Sequence, residues 1–434
     1  MNKYIKKKER STPNYLSIYL IWAIILCNSL TLFFLYKTHG EIFSEIFFND
    51  SLDTGMDFFH SIEYTRGRAP YDLFETLYPP LANLFFYILY RLIPFWQSSR
   101  WANTFMGGIS ARGSSSDLRV WQPTMLLFIL FIIISTTIFI IMLQKILVEV
   151  PYSGLLTVCL LFSYGIIYSF ERGNIVIIAT LLSLFFVVYK DSRNKFIEEF
   201  ALLALGIAAG LKIYPALLGF LLLYDKQYLK ALRTIFYGLS MFILPTFAFK
   251  EGIGSIGKFI RILTDYIEPD KFTTNGFSLD KLTNTIIVFI EFFTGIEFDR
   301  SILLEILPSL NFVFVMLVVI CGFFLKKNWQ RVMACSLALL LCQGQGIYNL
   351  SFMLIPLVIL LREEKEITKK IVIPFCTLLN FHLITPNATI IGDSLSYIYV
   401  RLQLGIIITF IYILIIAVRN VADIRKQKYI NANK

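Results

Sequence analysis

The sequence predicts an all-α polytopic membrane protein, on three observations. Of its 434 residues 56% are hydrophobic and only 16% charged, and a soluble chain of that size could not cover so much apolar surface with so little charge. The apolar residues gather in runs of roughly twenty, the length of a membrane-crossing helix. The basic residues behind the net charge of +10 lie in short runs beside those segments, the pattern of cytosolic loops, so no nucleic-acid partner is expected. No long polar stretch is left for a soluble domain, and residues 1–434 read as one unit in the lipid bilayer.

The run Tyr15 to Tyr36 follows the basic opening MNKYIKKKER and no small-residue cleavage site follows it. It is expected to be an uncleaved first span with its amino terminus in the cytosol. Residues 38–77 then form a long first extracytoplasmic loop, with an interfacial helix over Glu41 to Phe48. Tyr78 to Phe95 returns inward, opened by Pro79 and Pro80, whose missing N–H groups suit a first helical turn. The loop Gln97 to Arg119 carries three arginines and one acid and fits the cytosol.

Trp121 to Leu147 crosses outward. Ser153 to Phe170 and Ile175 to Tyr189 follow, hinged at Glu171-Arg172-Gly173-Asn174. Lys190 to Lys195 should be cytosolic, so the parity of crossings requires a re-entrant or short segment before it. Phe200 to Tyr224 reads as a broken helix, interrupted around Lys212 and Pro215. A span to Phe249 leads to a second outer loop, 250–283, containing a surface helix Ile256 to Ile267. Ile286 to Ile296, Ile302 to Leu325, a hairpin from Val332 to Leu361 broken at Gln343-Gly344-Gln345-Gly346, Ile371 to Thr385 and Ile398 to Val418 complete about eleven to thirteen transmembrane or re-entrant helices. The expected setting is a multi-pass protein of the plasma membrane with both termini cytoplasmic. Cys27, Cys159, Cys321, Cys335, Cys342 and Cys376 all fall in apolar segments without a C-x-x-C pair and read as small hydrophobes.

Chemistry has to come from polar groups in or beside this frame. Asp53 and Asp57 share a face if their stretch is helical, and their repulsion would poise one as a general base; the competing reading is a solvated loop acid. His60, Arg66 and Arg68 carry the same ambiguity, and a lone His without a second ligand at metal spacing gives no reason to expect a metal. Lys212 lies in the middle of an apolar stretch, where an ammonium costs several kcal/mol unless paired or hydrated and marks a substrate path by default. A Lys and an Arg, Lys212 with Arg172 beside Asn174, would match a phosphate or diphosphate. The cluster Gln343, Gln345, Tyr348 and Asn349 suits either ligand hydroxyls or hydrogen bonding between helices.

Four stretches in order, Asp57-Phe58 with Gly67 to Asp72 (GRAPYD), Tyr78-Pro79-Pro80-Leu81, Gly173-Asn174 leading an aliphatic run, and Gly206 to Leu217 (GIAAGLKIYPAL), resemble glycosyltransferase family 87. That family falls in the GT-C class of polyprenyl-phosphate-sugar-dependent enzymes and includes mannosyltransferases. The resemblance covers about residues 50 to 225 and departs from the family where Ile347-Tyr348-Asn349-Leu350 stands in place of histidines. It implies a GT-C-like fold with an extracytoplasmic active site, and transfer of one sugar from a polyprenyl phosphate donor to a hydroxyl of a glycan acceptor by a single inverting displacement. Asp57 would be the general base; Lys212, Arg172 and Arg68 would bind the donor phosphate. Asp53, His60, Tyr71, Tyr78, Asn174, Tyr214, Gln345, Tyr348 and Asn349 would bind substrate, with neither metal nor cofactor. The Lys, Ile, Asn and Phe bias of an AT-rich bacterial sequence makes undecaprenyl phosphate the expected carrier and a cell-wall or surface polysaccharide the acceptor. A flippase for a lipid-linked sugar, or a polymerase or ligase using a diphosphate-linked donor, is the alternative.

Overall fold

The computed structural model describes residues 15–41, 55–72, 74–93, 118–267, 273–299, 301–365, 368–385, 389–391 and 395–432. Asp53, nearly all of the expected interfacial helix Glu41 to Phe48, and the 97–117 loop lie outside them. The described chain is helical apart from turns and one antiparallel ribbon, β1 (Thr389–Ile391) with β2 (Leu395–Ser396). It is an all-α polytopic membrane protein.

The helices are α1 (Tyr15–Lys37), α2 (Met56–Tyr64), α3 (Pro80–Tyr90), α4 (Gln122–Ile146), α5 (Ser153–Leu161), α6 (Tyr164–Arg172), α7 (Val176–Tyr189) and α8 (Lys195–Leu211). After a 3-10 turn, Tyr214–Gly219, come α9 (Phe220–Tyr224), α10 (Tyr228–Ile243), α11 (Gly254–Ile267), α12 (Leu279–Thr294), α13 (Ser301–Gly322) and α14 (Asn328–Leu340). A second 3-10 turn, Ile347–Met353, leads into α15 (Leu354–Glu363), followed by α16 (Lys369–Asn380) and α17 (Tyr397–Ala432). Among the described residues four segments are long and apolar enough to cross a membrane: α1, α4, Tyr228–Ala248 and α17. The pair α5 and α6, bent by 49°, would make a fifth. Their outward faces are apolar, as on α4, where Leu126, Ile129, Ile133 and Ile141 are exposed.

Several segments are shorter or more broken than their hydropathy suggests. The inward return expected over Tyr78 to Phe95 is a helix only from Pro80 to Tyr90, roughly 16 Å long and too short to cross. Ser153 to Phe170 is interrupted at Phe162 and Ser163, where the chain bends between α5 and α6. The last span, expected over Ile398 to Val418, runs on as helix to Ala432, because the Lys, Arg and Gln of the tail are good helix formers.

The most buried helices are α14, over Val332 to Leu340, and α15, over Leu354 to Leu361, with α7 packed against α15. A second packing unit is α8 between α7 and α10. Gly206 and Gly210 make the α8–α10 contact close: a Cβ at Gly206 would lie 2.7 Å from the Tyr237 Cβ, and one at Gly210 3.0 Å from the Met241 Cβ. Small residues four apart permit this approach between apolar helices where hydrophobic exclusion from water is unavailable.

Candidate active site

The site begins with a reversal of chain. Helix α6 ends at Gly173, whose left-handed φ of 64° lets the Asn174 N–H reach back to the Ser169 carbonyl at 2.9 Å, the geometry of a glycine C-cap. Asn174 then serves two elements. Its Oδ1 accepts from the Val176 N–H at 2.9 Å and opens α7, while its Nδ2 donates to Asp57 Oδ2 at 2.7 Å. An Asp at that position could cap the helix but would repel Asp57.

Asp57 arrives from the other side on α2. Gly55, with φ 70°, caps that helix and donates its N–H to the Glu171 carbonyl at 2.9 Å, fixing the start of α2 to the end of α6. Arg172 Nη2 lies 2.8 Å from Asp57 Oδ1. The carboxylate is thus held by a guanidinium on one oxygen and an amide on the other, a charge-assisted arrangement. Its side chain keeps 20% of its surface exposed, so it is held yet reachable. Asp57 is not a free loop acid: α2 is largely buried, with Phe58 in a ring cluster formed with Phe59, Phe86, Phe128 and Phe131.

Lys212 reaches the same place from α8. It is the C-cap residue, in extended conformation, where the helix gives way to the 3-10 turn begun by Tyr214-Pro215. Proline after the cap cannot continue the helix, which is why the lysine stands at a break and not within a turn of helix. Its Nζ lies 4.1 Å from the Tyr78 ring centroid and 5.6 Å from that of Tyr348, and it makes no hydrogen bond or ion pair among the described residues. It is half-buried, an ammonium deep in the protein mass with surface still open to a ligand. Asp57 is close enough for its charge to act on Lys212, Tyr78 and Tyr214.

The remaining polar side chains close the ring. Tyr214 donates to Asn349 Oδ1 at 2.5 Å, joining the 3-10 turn after α8 to the one before α15, and Tyr348 flanks Tyr214 and Tyr78. Ser169 on α6 donates to the Tyr348 carbonyl at 3.3 Å, and a Cβ on Gly165 would meet the Ser351 backbone nitrogen at 2.6 Å. Asp57, Arg172, Asn174, Tyr78, Lys212, Tyr214, Tyr348 and Asn349 therefore come together, from pieces of chain separated by more than a hundred residues.

Other expected residues are engaged elsewhere. Arg68 gives its Nε to the Ala248 carbonyl at 2.6 Å, and Tyr71 gives its hydroxyl to the Tyr78 carbonyl at 3.0 Å, packing on Phe259. His60 packs on Tyr64, and buried Gln345 donates to the Gln343 carbonyl at 3.4 Å. Asp53 lies outside the described residues. Two polar groups escaped sequence reasoning. Ser61 hydrogen-bonds Tyr78 beside the site, and Glu63 is buried on α2 with Arg66 3.5 Å away. Burial pushes the Glu63 carboxyl up to about 7, against the opposing pull of Arg66. Its place in the same short helix as Asp57, among aromatic residues, was the available signal. Among the described residues no three His, Cys, Asp or Glu side chains come together as metal ligands would.

No curated protein and no solved structure gives a significant match to the chain. The model of one protein family, described as glycosyltransferase family 87, matches residues 76–344. The matched stretch holds Tyr78, Arg172, Asn174, Lys212 and Tyr214, and leaves Asp57 before it and Tyr348 and Asn349 after it. It spans more than half of the sequence, and the chain, a membrane glycosyltransferase acting between a sugar donor and an acceptor, belongs to glycosyltransferase family 87.

Proposed function

We propose that the protein transfers a single sugar from a polyprenyl phosphate, undecaprenyl phosphate in a bacterium, to a hydroxyl of a cell-wall or surface glycan on the outer face of the plasma membrane. The observation that carries this reading is the meeting of a restrained carboxylate, Asp57, with a cation lacking a counter-ion among the described residues, Lys212. In the displacement the acceptor O–H gives its proton to Asp57 while its oxygen bonds to the anomeric carbon. The bond from that carbon to the phosphate oxygen breaks, and its electron pair leaves on the phosphate, with inversion at carbon. Lys212 would stabilise the departing anion, since a leaving group already ionised needs positive charge and not a proton. Arg172 and Asn174 would act through Asp57, keeping one lone-pair direction of each oxygen engaged and the carboxylate aimed. Tyr78, Tyr214 and Tyr348 would supply the walls on which a sugar ring stacks or hydrogen-bonds. Arg68, tied to Ala248, has no part in this scheme.

Asp57→Asn should lower transfer about 10²- to 10⁴-fold, the usual worth of a positioned base, with membrane insertion and donor binding retained. Unchanged product formation would remove Asp57 from the reaction; function unchanged in Asp57→Asn but abolished in Lys212→Ala would favour a flippase. Supplying a monosaccharide polyprenyl phosphate beside an oligosaccharide diphosphate lipid separates the donor classes; product from the diphosphate alone would refute the donor proposed.

A further inference from the structure

A charged concavity lies at the other end of the same helices. Three pieces of chain leave the Asp57–Lys212 site and end there. Helix α7 runs from beside Asn174 to Lys190, the 3-10 turn and α9 run from Tyr214 to Asp225, and α15 follows Asn349 and ends at Arg362 and Glu363. The fourteen residues of α7 separate the two places by roughly 21 Å. The concavity encloses about 290 Å³ and is lined by four cationic side chains, Lys190, Lys326, Arg331 and Arg362, against three anionic ones, Asp191, Asp225 and Glu363.

The acids are already occupied. Asp225 receives Lys190 on one oxygen and Arg331 on the other, each at 2.7 Å. Asp191 receives Lys190 at 2.5 Å and Lys230 at 3.0 Å. Glu363 accepts from Asn328 Nδ2 at 3.0 Å and from the Trp329 N–H at 3.4 Å. Lys326 and Arg362 stand at the rim, exposed and without an ion pair or hydrogen bond among the described residues. Phe323 and Phe324, three and two residues before Lys326, and Tyr228 and Leu229, at the start of α10, are exposed large apolar side chains. The cavity therefore opens where an apolar surface gives way to basic groups, the level of lipid headgroups.

We propose that this cavity is a phosphate-recognition site, in which Lys326 and Arg362 receive the phosphate of an anionic headgroup while the Lys190–Asp225–Arg331 network forms a rigid floor. The same chemistry could be presented by a lipid or by a soluble phosphate ester, and the flanking aromatic residues favour the lipid.

The full-length protein in detergent, titrated with phosphatidylglycerol, phosphatidylcholine and glycerol 3-phosphate under native mass spectrometry, tests the assignment. Phosphatidylglycerol should be retained over phosphatidylcholine. The double variant Lys326→Gln, Arg362→Gln should weaken its retention roughly thirty-fold, a factor of about five for each basic side chain near an anionic surface. The equally exposed pair Lys369→Gln, Lys370→Gln, following closely on α15, should leave retention unchanged. Glycerol 3-phosphate binding as strongly as phosphatidylglycerol, and lost in the same variant, would also support the site and make its ligand soluble. The proposal is overturned if neither phosphate ligand is preferred to phosphatidylcholine, if the double variant binds as wild type does, or if the Lys369, Lys370 variant weakens binding equally. Neither rim residue belongs to the ion-pair floor, so folding is expected to survive, and unchanged phosphatidylcholine binding checks it.

Discussion

Gly173 links backbone geometry to the aim of Asp57, and its replacement by alanine separates two costs. The residue has φ 64°, and an added Cβ would lie 2.7 Å from both the Phe128 ring and the Phe58 Cβ. The left-handed conformation alone costs an L-residue about 1–2 kcal/mol, and forcing a methyl into a packed site adds about 1–3 kcal/mol. Gly67 provides the control: its φ is 72°, and a Cβ added there would meet nothing within 4 Å. Gly67→Ala should show the conformational cost only. Any gain from a stiffer unfolded chain is common to both variants, so the difference of about 1–3 kcal/mol isolates the steric clash. Unfolding in detergent measures both. Transfer assays on the same samples, below the unfolding transition, should show Gly173→Ala impaired and Gly67→Ala active, because the clash displaces Phe58, next to Asp57, and the turn that carries Arg172 and Asn174. Equal stability losses, or a fully active Gly173→Ala protein, would refute the reasoning.

Two other perturbations read the charges. Glu63 has a folded pKa raised from 4.5 to about 7 by burial, partly opposed by Arg66; its contribution to stability is therefore fully present below pH 4.5 and is lost as pH rises through 7. Glu63→Gln, which resembles the protonated form, should stabilise the protein above pH 7 by about 3 kcal/mol and change little near pH 4.5. Melting curves across that window check it, and a variant with undiminished pH dependence would exclude Glu63 as its source. Lys212→Met should lower transfer about 10²- to 10³-fold without destabilising the fold, since an ammonium lacking a counter-ion in apolar surroundings is costly to keep. Paired activity and melting measurements decide it; a variant that melts much earlier would mean that Lys212 holds structure.

The sequence made the outline of the fold legible because hydropathy reports the solvent a segment must meet, and α1, α4, Tyr228–Ala248 and α17 each hold an apolar stretch long enough to cross a membrane. The breaks were legible where they carried a chemical mark. Gly173-Asn174 ended one helix and opened the next, and Lys212 before Tyr214-Pro215 ended α8. The bend at Phe162 and Ser163 carried no glycine, proline or charge to mark it, and the helix after it, α6, packs against the Ile347–Met353 turn.

For the site, single residues were legible and pairings were not. An acid after the first span and a lysine in an apolar run each announce themselves through the cost of charge in a membrane. Which cation belongs to which anion is a property of packing. Arg172 stands beside Glu171 in sequence, yet its guanidinium goes to Asp57, 115 residues away, because the Gly55 N–H takes the Glu171 carbonyl and brings α2 against the end of α6. That one backbone bond turns two unrelated polar segments into a clamp. It leaves Lys212, without a carboxylate partner among the described residues, as the positive charge available to an anionic substrate. The division of labour between the two cations thus follows from chain geometry: arginine, with a planar fork, restrains the carboxylate, and lysine, at a helix break over a tyrosine ring, faces the ligand.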